Sequence, residues 1–166
     1  MKTKTLYHGS TNVVEHPLVH VGRKDLDFGQ GFYLTELEAQ AVSWAHTLQG
    51  RSKQKPSGFV NVYELTDEDA IKEKYLWKTF PAYDREWLEF IVASRRGMMP
   101  WKDFDVIEGG IANDSVIDTI DAYMSGLITA DIALGQLAYR KPNHQICILK
   151  QQIVESHLSY IRTINV

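Results

Sequence analysis

Asp27-Phe28-Gly29-Gln30-Gly31-Phe32-Tyr33-Leu34-Thr35 is the stretch on which the reading of this chain turns, together with the shorter Leu6-Tyr7-His8-Gly9-Ser10. The longer stretch reads as a glycine-loosened approach to a strand that carries an aromatic side chain. The shorter one reads as a strand ending in a polar, glycine-hinged turn. Gly9, Gly29 and Gly31 remove side chains where something comes close to backbone. His8, Ser10 and Tyr33 set donors, acceptors and a flat ring beside those gaps. A flat polar ligand held between backbone amides and an aromatic face needs this combination.

Outward from these segments the pattern alternates without a regular βαβ rhythm, which favours an α+β fold. Strands are expected at Lys4 to Tyr7, Phe32 to Leu34, Phe59 to Leu65, Ile71 to Trp77, Asp105 to Ala112, Gln145 to Leu149 and Tyr160 to Val166. Helices are expected after Thr35, which with Glu38 makes a capping box, and at Arg85 to Ser94, Ser115 to Met124 and Thr129 to Tyr139. The first helix carries Leu37, Ala41, Trp44, Ala45 and Leu48 at helical spacing, with Gly50 as its stop. Residues 11–26 read as a long loop. Phe32 is expected to face the core, opposite Tyr33.

The length of 166 residues fits one domain, 1–166, able to bury roughly 68–70% of its unfolded surface without a disulfide or metal. The lone Cys147 lies in an apolar run and reads as a small core residue, a usage that suits a reducing cytoplasm. No apolar run is long enough to span a bilayer, and no signal-peptide core follows the polar start. A net charge of -3 argues against generic polyanion binding but leaves room for a local basic groove, since Lys53-Lys55 and Arg95-Arg96 cluster. The six histidines are scattered, so no metal is expected. Asp27-Phe28-Gly29 lacks the glycine loop and catalytic loop that a kinase needs.

The paired segments resemble the NAD-binding signature of the ADP-ribosyltransferase superfamily, on the side shared by diphtheria-toxin-like enzymes and poly(ADP-ribose) polymerases. Trp44, eleven residues after Tyr33, stands where that group carries a second aromatic. Within it the chain is similar to small bacterial proteins with Tyr-His-Gly, Asp-Phe-Gly-x-Gly-Phe-Tyr, Asp-x-Val-x-x-Gly and Gln-x-x-aliphatic segments, all present here in order. The resemblance implies a split two-sheet fold with an NAD cleft between the sheets. It implies mono-ADP-ribosyl transfer from NAD to a protein or nucleic-acid acceptor, and a bacterial toxin or phage-defence effector with an antitoxin as partner.

On that resemblance His8 bonds a ribose hydroxyl, the Gly9 backbone holds the nicotinamide amide, and Ser10 and Gly31 belong to the dinucleotide site. Tyr33 and Trp44 sandwich the nicotinamide, where stacking is worth roughly 1–3 kcal/mol by analogy with bases. Arg23 and Lys24 reach toward the pyrophosphate. Gln145 stands where most relatives carry a glutamate. A carboxylate ~4 Å from an oxocarbenium-like centre contributes ~4 kcal/mol at an effective dielectric near 20. A glutamine holds ribose by hydrogen bonds but cannot act as a base. That favours transfer of one unit over polymer elongation. Asp114 reads as a helix cap, with acceptor activation as its other role. Glu108 and His144 are nearby titratable groups, and His144 is expected on the sheet face opposite Gln145. The rival readings are a catalytically silent NAD or ADP-ribose-binding module, an NAD glycohydrolase, and an interaction domain whose aromatics are simply core.

Overall fold

The computed structural model describes residues 2–113 and 116–166. Among the described residues seven strands and six α-helices are arranged as two sheets with helices on both outer sides: an α+β architecture. The first sheet has the order β1-β3-β7, from Thr3–Ser10, Phe59–Thr66 and Leu158–Asn165, all antiparallel. The second has the order β2-β6-β5-β4, from Phe32–Leu34, Gln145–Ile148, Val106–Gly109 and Trp77–Thr79, with only β4 and β5 parallel.

Alternation along each strand sorts the side chains into three cores. Leu6, Tyr63 and Leu65 of the first sheet meet Phe32, Leu34, Val106, Ile146 and Ile148 of the second, so this cluster lies between the sheets. Tyr33, Ile107 and Cys147 point the other way, into the helices α3 (Arg85–Arg95), α4 (Ile117–Met124) and α5 (Ala130–Leu137). Phe32 is therefore core, as its place in the alternation predicts. On the outside of the first sheet, Ala41 of α1 (Glu38–Arg51) packs on Val60 and Val62.

Several expectations are corrected. The strand expected at Ile71 to Trp77 is instead α2 (Glu68–Lys74) followed by β4. Its two buried residues, Ile71 and Tyr75, are four apart, and Glu68 and Asp69 lead the helix while Lys72 and Lys74 end it. The capping box at Thr35 does not form. Thr35 is drawn into a backbone bridge with Tyr7, so α1 starts later, and the Thr35 hydroxyl accepts from the Leu37 N–H at 3.1 Å. Gly50 does not stop that helix, which runs on to Arg51. An unexpected helix, α6 (Gln151–His157), joins β6 to β7. Thr129 does cap α5, accepting from the Ile132 N–H. Asp114 lies outside the described residues. Among the described residues no helix is long and apolar enough to cross a membrane, and no group of His, Cys, Asp and Glu is placed to hold a metal ion.

Candidate functional site

The two sheets are stitched at one backbone bridge among the described residues. Tyr7 N–H donates to the Thr35 carbonyl at 2.8 Å, and Thr35 N–H donates to the Tyr7 carbonyl at 2.9 Å. The next pair in that register would be Gly9 with Tyr33, but the strands part there. The His8 imidazole occupies the fork: its Nδ1–H donates to the Tyr33 carbonyl at 2.7 Å, and its ring lies 4.3 Å from that of Phe32. Backbone groups alternate sides along a strand, so Gly9 N–H and C=O face the same edge as those of Tyr7 and open into the fork. By the same alternation Leu6, His8 and Ser10, not Gly9, turn their backbone groups to β3.

The bond expected from His8 to a ribose hydroxyl is therefore left to one ring nitrogen. Nδ1 is spent on the protein, and Nε2, with no partner among the described residues, is the remaining acceptor. Burial lowers the His8 pKa, the Tyr33 carbonyl opposes that shift, and the net value lies below the ordinary one, which keeps the ring neutral. By alternation His8 points to the inter-sheet side, whereas Tyr33 and Gln145 share the opposite face. Tyr33 pairs with Cys147, and Gln145 lies two residues before it on β6. Gln145 faces Gly109 across β5, is half-buried, and has no side-chain hydrogen bond among the described residues.

Tyr33 is fixed by its hydroxyl, which donates to the Gly29 carbonyl at 2.7 Å and accepts from Phe28 N–H at 3.1 Å. Burial pushes its phenol well above the ordinary range. Burial also raises the Cys147 thiol, as befits a core residue. Ser10 is buried, and its hydroxyl accepts from Asn12 N–H at 3.0 Å while keeping its own proton to donate. Arg23 is 77% exposed and only loosely paired with Asp25 at 4.0 Å. It shares a cavity of about 300 Å³ with Asp27, Arg95 and Asp121.

Much of the glycine pattern answers to packing. A Cβ on Gly9 would meet the Ala41 carbonyl oxygen at 2.2 Å, so this glycine lets α1 settle on β1. One on Gly31 would meet Cys147 Sγ at 2.5 Å, and one on Gly29, at φ +89°, the Trp101 ring at 2.1 Å. Asp27 is a buried brace: Oδ1 accepts from Arg95 Nε and Oδ2 from Ala112 N–H, each at 2.7 Å. The Asp-Phe-Gly turn therefore holds the loop after β5 against the end of α3.

Trp44 lies on α1 and is 46% exposed, with the Arg51 guanidinium 5.2 Å from its ring centre. No ring contact joins it to Tyr33 among the described residues. Its place relative to Gln145 is set by Gln40, a residue the sequence reading passed over. Gln40 Nε2 donates to the His144 carbonyl at 2.7 Å, and its Oε1 accepts from His144 N–H at 3.1 Å. Trp44 lies one turn further along the same helix face, ~6 Å away. The face that clamps the start of β6 therefore also bears the tryptophan. Residues 40 and 144 are 104 apart in sequence, and no local pattern announces their contact.

Behind Gln145, on the inter-sheet side as expected, His144 Nε2–H donates to Glu108 at 3.0 Å while its Nδ1 accepts from Glu36 N–H at 3.1 Å. Burial pushes the Glu108 carboxyl up. The bond from His144, the Lys4 ammonium and the Trp77 indole N–H outweigh that, and the group sits below its ordinary value.

The family model described as "Protein of unknown function (DUF3990)" matches residues 4–160, and the chain belongs to that family. No curated protein matches the chain.

Proposed function

We propose that the protein is a mono-ADP-ribosyltransferase with the split two-sheet fold of that superfamily, and that NAD enters at the fork between β1 and β2. Two observations carry this reading: the Gly9 edge that opens into the fork and, on β6, the strand beyond β2, a half-buried Gln145 whose side chain makes no hydrogen bond among the described residues. A carboxamide is the complement of a free strand edge: its NH₂ donates to Gly9 C=O and its oxygen accepts from Gly9 N–H. Tyr33 and Trp44 bracket the ring, and both favour a cationic pyridinium. His8 Nε2 accepts from one ribose hydroxyl, Ser10 donates to the dinucleotide, and Arg23 meets the pyrophosphate.

In the reaction the bond from ribose C1′ to the pyridinium nitrogen breaks, and nicotinamide leaves with the electron pair. The acceptor's nucleophilic atom bonds to C1′ and gives up its proton to solvent. Gln145 holds a ribose hydroxyl through this step. Having no negative charge, it neither offsets the cationic centre strongly nor takes the proton, so an acceptor that is already nucleophilic is required.

The test is nicotinamide release from NAD, followed by chromatography, in the wild type and in Gln145→Ala. Release that falls in the variant at unchanged melting temperature supports the proposal, since the Gln145 side chain makes no hydrogen bond among the described residues that folding would miss. No release and no NAD-dependent rise in melting temperature would remove it. A thermal shift without release favours a silent NAD-binding module, to which the missing carboxylate already points. Release without a labelled macromolecule means glycohydrolysis.

A further inference from the structure

From Ala39 to Tyr63 the chain carries no Asp or Glu, yet it holds Arg51, Lys53 and Lys55. The net charge is -3, so these three cations leave the rest of the chain at -6. All three are exposed, and none forms an ion pair among the described residues. The segment is also ordered. Lys55 N–H donates to the Ser52 carbonyl at 3.3 Å, closing a turn, and Gln49 Nε2 donates to the Pro56 carbonyl at 3.0 Å, folding the loop back on α1. This loop runs directly into Phe59, the register partner of Ser10. The basic turn thus flanks the Gly9-Ser10 end of β1, and Arg51 lies over Trp44.

We propose that this turn is a docking surface for single-stranded nucleic acid, which is the acceptor class of the site above; the transfer part rests on the transferase reading. Exposed cations with no ion-pair partner among the described residues complement a chain of phosphates. The turn Ser52-Lys53-Gln54-Lys55-Pro56-Ser57 has no apolar anchor of the kind a protein interface centres on, and none that would enter a lipid surface. A single strand, unlike a duplex, can offer an unstacked base to the fork.

The experiment measures binding of a fluorescent single-stranded oligonucleotide by anisotropy across salt concentrations, for the wild type and for Lys53→Gln/Lys55→Gln. Three phosphate contacts give a log–log salt slope of about -2, or an affinity loss of about 20-fold between 50 and 200 mM salt. Removing two contacts brings the slope to about -0.7 and weakens binding at 50 mM roughly fifty-fold. Nicotinamide release without acceptor stays unchanged, because neither lysine touches the dinucleotide site. Salt-insensitive or absent binding, or a variant that binds as well as wild type, overturns the surface. Label transferred to protein and not to nucleic acid overturns the acceptor class. If oligonucleotide binding follows these slopes while NAD is never cleaved, the docking surface stands and the transferase reading falls.

Discussion

Replacing Asp27 by asparagine tests whether the Asp-Phe-Gly turn is a structural brace. Asp27 is 7% exposed and spends one oxygen on Arg95 and the other on Ala112 N–H. Asparagine keeps one acceptor and turns the other into a donor. Either flip aims an NH₂ at Arg95 Nε–H or at Ala112 N–H, and the Arg95 cation loses its countercharge. Two charge-assisted bonds of ~1.5–3 kcal/mol each give way to one neutral bond of ~1 kcal/mol, and an unmatched buried charge remains. The net cost is about 3–5 kcal/mol. For a chain of this size that lowers the melting temperature by about 10 °C, at ~2–4 °C per kcal/mol. Urea denaturation of Asp27→Asn, Arg95→Met and the double variant closes a thermodynamic cycle. The double variant should be less destabilised than the two singles combined by about 1–3 kcal/mol, since removing the arginine removes the stranded charge. A single-variant cost below about 1 kcal/mol, or strict additivity, would refute the brace.

Three further outcomes are expected. Gln145→Glu places a carboxylate at an unbonded side chain facing Gly109, and should speed nicotinamide release about a hundredfold, from a gain of ~4 kcal/mol less the ~0.5–1.5 kcal/mol that glutamine supplies; an equal or slower rate in a folded variant counts against the site. Gly9→Ala drives a methyl into the Ala41 carbonyl oxygen at 2.2 Å and should cost about 1–3 kcal/mol in urea, while also displacing the edge that meets the carboxamide. The folded Glu108 carboxyl lies below its unfolded value of 4.5, so its stabilising contribution is full above that pH and is lost as pH falls through the folded value. Glu108→Gln should therefore show a shallower acid loss of stability below pH 4.5, and an unchanged acid limb would sink the assignment.

The strands that carry the candidate site were legible because strand alternation and glycine placement are local signals. Phe59 to Leu65 alternates cleanly, and the Phe32-Tyr33-Leu34 order alone dictates which ring meets the inter-sheet core. The helix at Glu68 to Lys74 is hidden although Ile71 and the C-cap Tyr75 stand four apart, because the neighbouring aromatics imitate a strand. What the sequence hid are contacts closed over long loops. Gln40 reaching His144, Asp27 joining Arg95 to Ala112, and His8 taking the Tyr33 carbonyl all depend on how the two sheets meet. The Thr35 cap failed for the same reason, since its backbone is claimed by Tyr7 from another part of the chain. The glycine pattern suggests room for a ligand, but Gly29 and Gly31 admit Trp101 and Cys147.

Joining two sheets at one reciprocal pair of amides, among the described residues, has a kinetic consequence. Unzipping Tyr7 from Thr35 forfeits two backbone bonds, about 2 kcal/mol, and also strains the inter-sheet packing of Leu6 on Phe32 and Leu34, so the seam is open in fewer than roughly one molecule in thirty. The exchange of those two amide protons with deuterated solvent is then a clock for how often the crevice gapes, and an occupant lodged in it should slow that clock.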